Sequence, residues 1–236
     1  MSGGPVIPDF GRGSDCVREN RLFCPDWVRE NWEPVLQPAL LQHVKLTLIA
    51  VAVGFAIALA AALVAHRWAV VERPVAAASA ILYTIPAIAL FQLLVPITGI
   101  GLLTVEVALV GYTLLILFRN VLEGLRATPP EVHEAARGMG LTRRQTLLRV
   151  ELPLALPAIV AGLRVATVST IALATIAAFI VPEGLGAPIF SALRVDFKTE
   201  ILAAGGLAVL LAVAADLALV LLQRRVTPWT AARRTT

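Results

Sequence analysis

Five stretches of this chain are long and apolar enough to cross a lipid bilayer, a task that needs about 20 helical residues. They are residues 46–65, 75–95, 101–118, 154–181 and 201–222, with the fourth span itself expected to start near Pro157 and run over 157–181. None alternates with a period of two, so the reading is helix rather than outer-membrane strand. In hydrocarbon a helix satisfies its own backbone hydrogen bonds. Composition agrees: 58% of the 236 residues are hydrophobic and 15% charged, against about 25% charged in soluble domains. A soluble domain, a disordered chain, a collagen and a coiled coil are thereby excluded. The sequence predicts an all-α integral membrane protein with five transmembrane helices.

Lys and Arg in the connections set its orientation. Twelve fall in 66–74, 119–153 and 223–236; seven fall in 1–45, 96–100 and 182–200; Arg164 lies inside the fourth span. The richer side is the cytoplasmic one. The N-terminus is therefore expected outside and the C-terminus inside, in a multi-pass protein of the plasma membrane. No apolar signal-peptide core precedes residue 46, so the first span is expected to direct insertion. The chain divides into an outer tail (1–43), a membrane domain (44–222) and a cytoplasmic tail (223–236).

The outer tail is acidic on balance, with Asp9, Asp15, Glu19, Asp26, Glu30 and Glu33 against Arg12, Arg18, Arg21 and Arg29. A short helix over 26–33 would put Trp27, Val28 and Trp32 on one apolar side, suited to the lipid–water boundary or to an external protein. Both cysteines, Cys16 and Cys24, lie here. In an oxidising compartment they are a candidate disulfide; the alternative is two free thiols. Without histidine partners they make a poor zinc site.

The longest cytoplasmic connection, 119–153, reads as two short helices with a sharp corner. Thr128-Pro129-Pro130-Glu131 has the form of a capping box opening a helix to about Met139. Gly140 suits the left-handed residue after its end. Thr142 and Gln145 repeat the capping box for a second helix to about Leu152, after which Pro153 and Pro157 mark the change into the fourth span. The product is a rigid knob with a small flank at Ala135 and Ala136, or simply a well-capped loop.

The string Glu134-Ala135-Ala136, three residues, Gly140, nine residues, Val150, one residue, Leu152-Pro153 resembles the "EAA" loop of binding-protein-dependent ABC importer permeases, with Val150 for the usual Ile as the only departure. The strings 82–90, Gly99-Ile100-Gly101, 137–140, 150–157 and Gly184-Leu185-Gly186 resemble the osmoprotectant branch of that family, whose solutes are glycine betaine, carnitine, choline and proline. The likeness covers about 44–222, and Val181-Pro182-Glu183 departs from it. The resemblance implies a type I ABC importer permease fold. It implies an ATPase-coupling loop made by Glu134, Ala135, Ala136, Gly140, Val150, Leu152 and Pro153. The implied partners are two copies of a cytoplasmic ABC ATPase, a second permease subunit (self or homologue) and an extracytoplasmic substrate-binding protein.

Three ionisable residues stand at membrane depth, where such residues are paired, snorkel or serve function. Glu106 lies near an outer end and reaches the interface. Arg164 and Asp216 lie at equal depth, about 10 Å from the cytoplasmic end at 1.5 Å per residue, and are a candidate intramembrane ion pair; the alternative is that each faces water alone. Thr84 and Pro86 of the second run and Thr167, Ser169, Thr170 and Thr175 of the fourth are candidate lining of a translocation pathway. Hydrogen bonding of each hydroxyl to the preceding turn is the simpler reading. The spans hold few aromatic residues and show no legible cage for a quaternary amine.

No phosphate-binding Gly-x-x-x-x-Gly-Lys-[Ser/Thr] loop, metal motif or nucleophile elbow occurs in the sequence. The expectation is a transport subunit and not an enzyme, binding no cofactor, with ATP and Mg on the partner ATPase. No metal site and no nucleic-acid partner are expected. His43, His66 and His133 are read as unclustered. The function implied by the resemblance is import of a compatible solute such as glycine betaine. An ABC permease for another amino acid or small polar solute is the alternative, and an ATPase-independent channel or carrier a remote one.

Overall fold

A computed structural model describes residues 14–229. Asp9 and Arg12, named above for their charge, and residues 230–236 of the cytoplasmic tail lie outside the described residues. Among those described, every regular element is helical: α1 (Asp15–Arg18), α2 (Pro25–Glu30), α3 (Gln37–Arg67), α4 (Glu72–Thr84), α5 (Ala87–Thr98), α6 (Leu102–Arg126), α7 (Pro130–Gly138), α8 (Arg143–Thr146), α9 (Leu152–Ala177), α10 (Gly186–Arg194) and α11 (Lys198–Val226). Four unbroken helical stretches are long and apolar enough to cross a membrane: Trp32–Arg67, Leu102–Arg126, Arg143–Ala177 and Lys198–Val226. A fifth crossing exists if α4 and α5 count as one broken span.

The spans differ from their sequence outlines in instructive ways. The second run, expected as one helix over 75–95, is interrupted. Ile85 (ψ 127°) and Pro86 (ψ 137°) both leave the helical region, because a proline pushes the residue before it into extended backbone. The fourth span does not begin at Pro157 but runs through it from Leu152. It also continues without a gap from α8 through a π-helical turn at Leu147–Glu151. The first spanning stretch starts at Trp32 and its α-helical part, α3, at Gln37, both inside the stretch assigned to the tail, and the last span ends at Val226. The third span continues to Arg126, so the first part of the presumed loop is helix.

The chain separates into two compact units, and the long helices contribute to both. One unit comprises Ala50–Ile85, Val110–Ser169 and Ala214–Thr236. Its core sets Ala58, Ala62 and Ala65 of α3 against Leu117, Phe118, Val121, Leu122 and Leu125 of α6 and Ala155, Ile159 and Ala166 of α9. Small residues at helical spacing let large ones from a neighbour fill the space, and they stand in for the hydrophobic force that lipid removes. Gly124 shows how close the packing is: a Cβ there would lie 3.0 Å from the Ala158 Cβ and 3.2 Å from that of Ala155. At the interrupted second run, Tyr112 donates its hydroxyl to the Ile85 carbonyl freed by the break.

The other unit comprises Met1–Ile49, Pro86–Leu109 and Thr170–Val213. Its hub is His43, which is fully buried. The ring Nε2 lies 3.0 Å from the Ile171 carbonyl and donates to it, while Nδ1 accepts from the Leu185 N–H at 3.1 Å. The ring proton therefore sits on Nε2. Gly184 takes φ +64° beside this ring, where a Cβ would come 2.9 Å from Nδ1. Gly186 opens α10 against the backbone of Thr175.

The apolar surface is not confined to these cores. Leu202, Val209, Leu210, Val213, Leu217, Leu221 and Leu222 of α11 are all exposed. A helix so apolar on its outer faces is suited to lipid, not to water.

Candidate functional site

The stretch 127–151 builds the candidate site. α7 begins at Pro130 with Pro129 as its cap, and no side chain caps it. The capping box expected at Thr128 does not form. With Pro130 at the first helical position, the helix starts one residue later and Thr128 falls outside reach. Its hydroxyl is buried without a partner among the described residues. The far end follows the sequence closely. Gly140 takes φ +76°, its N–H bonds the Arg137 carbonyl at 2.9 Å, and the Leu141 N–H bonds the Ala136 carbonyl at 3.1 Å. That pair of bonds is a Schellman motif. Thr142 then closes a reciprocal capping box with Gln145 over α8.

The hairpin presents two different sides. Ala136 is buried, and His133 three residues earlier is half-buried. Glu134 and Ala135 are exposed. So is Met139, at 71%, with Leu148 beyond it at 51%. Large apolar side chains at this exposure beside a small-residue helix flank make a surface into which a partner can pack. Of the seven residues expected in the coupling loop, Glu134, Ala135 and Gly140 are exposed. Ala136 faces the core, and Val150, Leu152 and Pro153 are half-buried at the entry to α9.

The histidines, read from sequence as unclustered, are not all apart. His66, the penultimate residue of α3, places Nε2 2.8 Å from Glu151 Oε2. His133 of α7 places Nδ1 3.6 Å from Glu151 Oε1, an electrostatic contact too long for a hydrogen bond. Nothing in residues 66, 133 and 151 alone announces this meeting; the π-helical turn that aims Glu151 is not a sequence-readable feature.

Within the same unit Arg164 and Asp216 form a two-pronged pair, Nε to Oδ1 at 2.7 Å and a terminal nitrogen to Oδ2 at 2.9 Å. Planar guanidinium against planar carboxylate is the strongest geometry for such a pair. Of the pathway candidates, Thr84, Thr167 and Thr175 each donate their hydroxyl to a carbonyl in the preceding turn, of Ile81, Leu163 and Ile171 respectively. That is how threonine sits quietly in a helix. Thr84 and Pro86 are exposed at the interruption, Ser169 is half-buried and Thr170 is buried. Tyr83 and Tyr112 meet edge to face beside Thr84, with ring centres 6.0 Å apart. Glu106 in α6 has both carboxylate oxygens shielded, with no hydrogen-bond partner among the described residues.

In the other unit, Cys16 and Cys24 are joined in a disulfide. The loop they close is held to the turn between α10 and α11. Asn20 donates to the Asp196 carbonyl at 2.6 Å and accepts from the Lys198 N–H at 3.1 Å. The Cys24 N–H donates to the Thr199 hydroxyl at 3.1 Å, and that hydroxyl donates to the Arg21 carbonyl at 3.3 Å. Trp27, expected at the lipid–water boundary or against an external protein, packs edge to face on Phe197 with ring centres 5.1 Å apart. None of this long-range clasp was readable in the sequence.

Comparison with known proteins fits these features. Residues 50–231 match the family model described as "Binding-protein-dependent transport system inner membrane component". The chain is 41% identical to the osmoprotectant import permease protein OsmW of Salmonella typhimurium, over 79% of this chain and 89% of that protein. It is 35% identical to the carnitine transport permease protein OpuCB of Listeria monocytogenes, over 79% and 86%. It is 34% identical to the choline transport system permease protein OpuBB of Bacillus subtilis, over the same shares. Its fold is that of a chain of the inward-facing MetNI methionine ABC transporter, with TM-score 0.73 at 24% identity, over 84% of this chain and 99% of that one. This is the type I ABC importer permease fold. The chain is a transport subunit of the membrane, and it belongs to the family of binding-protein-dependent transport system inner membrane components.

Proposed function

We propose that this chain passes a compatible solute, glycine betaine or a related quaternary amine or proline, into the cytoplasm as the permease of an ATP-driven importer. The solute class is supported by relatives whose names specify carnitine, choline and osmoprotectants. The coupling role rests on one observation: a hairpin stiffened at its corner and its second helix that exposes Glu134, Ala135 and Met139 while burying Ala136. That is the form needed by an element which a cytoplasmic ATPase must grip and move as a unit.

Two permease chains, identical or homologous, enclose the pathway, and two ATPase subunits hold one hairpin each. ATP binding draws the hairpins together and favours the outward-open state, to which the loaded binding protein adds its own preference. Each ligand shifts the equilibrium only by its differential affinity for the two states. ATP and Mg belong to the ATPase; no cofactor is assigned to this chain. The tail containing the disulfide lies outside, as the oxidising environment of a disulfide and the distribution of Arg and Lys both favour.

The test is uptake of radiolabelled choline, glycine betaine, carnitine and proline into vesicles holding this chain with the ATPase and binding protein encoded beside it. ATP-dependent accumulation of at least one of these solutes is expected. Accumulation of only an unrelated solute would discard the solute class, and accumulation without any ATPase would discard the coupling.

A further inference from the structure

The buried carboxylate of Glu151 has no part in the motif that carries the proposed function, yet it stands where three elements meet. His66 belongs to the end of α3, His133 to α7, and Glu151 to the π-helical turn that leads into α9. The Glu151 side chain is only 9% exposed, and each of its carboxylate oxygens faces a different histidine. A carboxylate so placed is tolerable only with donors around it. The bond to His66, at 2.8 Å, fastens the first long helix to the start of the fourth. The contact to His133 fastens the hairpin to both.

α7 has no side-chain cap at its start, and the Thr128 hydroxyl beside that start is unpartnered. Ala136 supplies one small apolar contact face. The π-helical turn contributes to the aim: its Leu152 N–H reaches back five residues to the Leu147 carbonyl, and such a turn re-points side chains relative to an ordinary helix.

We propose that Glu151 is a positioning residue that makes α7 move as one body with the ends of α3 and α9, so that displacement of the hairpin becomes displacement of the spans. This rests on the ATP-coupled reading above. Glu134 and Ala135 would receive the force on the exposed side of α7, and His133 would deliver it through Glu151 on the other. Glutamine at 151 keeps the shape but offers one carbonyl oxygen where the carboxylate offers two acceptors, so it cannot serve both histidines.

The experiment compares wild type, Glu151→Gln, His133→Gln and the double variant in the complete complex in lipid. It reads co-purification of the ATPase, basal hydrolysis, and hydrolysis stimulated by binding protein loaded with the solute found in the uptake assay. Glu151→Gln should retain the ATPase and basal hydrolysis, while the stimulated-to-basal ratio falls up to about fivefold, the size of one lost close electrostatic contact. The double variant should be no worse than Glu151→Gln, since both act through one contact. Unchanged stimulation in Glu151→Gln overturns the proposal, as does an equal fall in basal and stimulated rates or an additive double variant. If Glu151→Gln fails to accumulate, His133→Gln decides, because it leaves the His66 bond in place: lost stimulation supports the proposal, retained stimulation overturns it. A wild-type complex that holds no ATPase overturns the coupled reading itself, an outcome separate from the others.

Discussion

Two short segments of this protein are held rigid by opposite means. The hairpin at α7–α8 is fixed mainly from within: a Schellman corner at Gly140 and a capping box at Thr142, each closed by residues no more than five apart. The loop at Cys16–Cys24 is fixed from without. A covalent bond closes it, and four hydrogen bonds involving Asn20, Arg21 and Cys24 hold it to a turn some 175 residues further along the chain. Internal stiffness leaves the hairpin's outer side free to be gripped and moved. External clasping makes the tail part of the turn it covers, so the two can only move together.

Changes that strike the clasped side should be the most damaging. Gly186→Ala would drive a Cβ into the Thr175 carbonyl oxygen and to 2.5 Å from the Ala178 Cβ. Backbone cannot give way as a side-chain tip does, so a loss of about 3 kcal/mol or more is expected, seen as a fall in folded yield and in the thermal unfolding midpoint in detergent. Opening the disulfide by Cys16→Ser with Cys24→Ser should come next. For a loop of this length the cost is about 2–3 kcal/mol by the chain-entropy account. It should appear as faster amide exchange at residue 24 and Lys198, with exchange at Gly140 and Leu141 unchanged. Faster exchange in both places would break the separation drawn here. The smallest effect is expected from Thr142→Ala, which removes one cap for about 1 kcal/mol. It should loosen exchange over 143–146 and leave the tail untouched.

The same contrast explains what the sequence revealed. Gly140 and the Thr142–Gln145 box were legible because their partners lie within a turn or two. Thr128 misled, because a second proline moved the helix start one residue on and carried the hydroxyl out of range. The Arg164–Asp216 contact was legible for a different reason: two opposite charges at one depth in hydrocarbon have few alternatives. The second run announced its weak point at Pro86, but not that Ile85 would leave the helix with it. Pro157 suggested a helix start, yet a membrane helix can run through proline when neighbours satisfy the freed groups, and α9 does so from Leu152 onward. Asn20, Thr199 and the meeting of His66, His133 and Glu151 were invisible. Each joins residues distant in sequence and ordinary in type.

The central claim is that the hairpin transmits the ATPase's work, and Gly140 tests it most directly. Nothing lies within 4 Å of a Cβ built there, and its φ is +76°. An aspartate there disturbs the corner through backbone strain, about 1–2 kcal/mol, and adds a charge to an exposed surface. The measurement is solute-stimulated ATP hydrolysis by the complex in lipid, with wild type beside Gly140→Asp and Glu134→Lys. Stimulation is expected in wild type and should be lost in both variants, with the permease still folded and inserted. Stimulation that persists in both variants would contradict the claim.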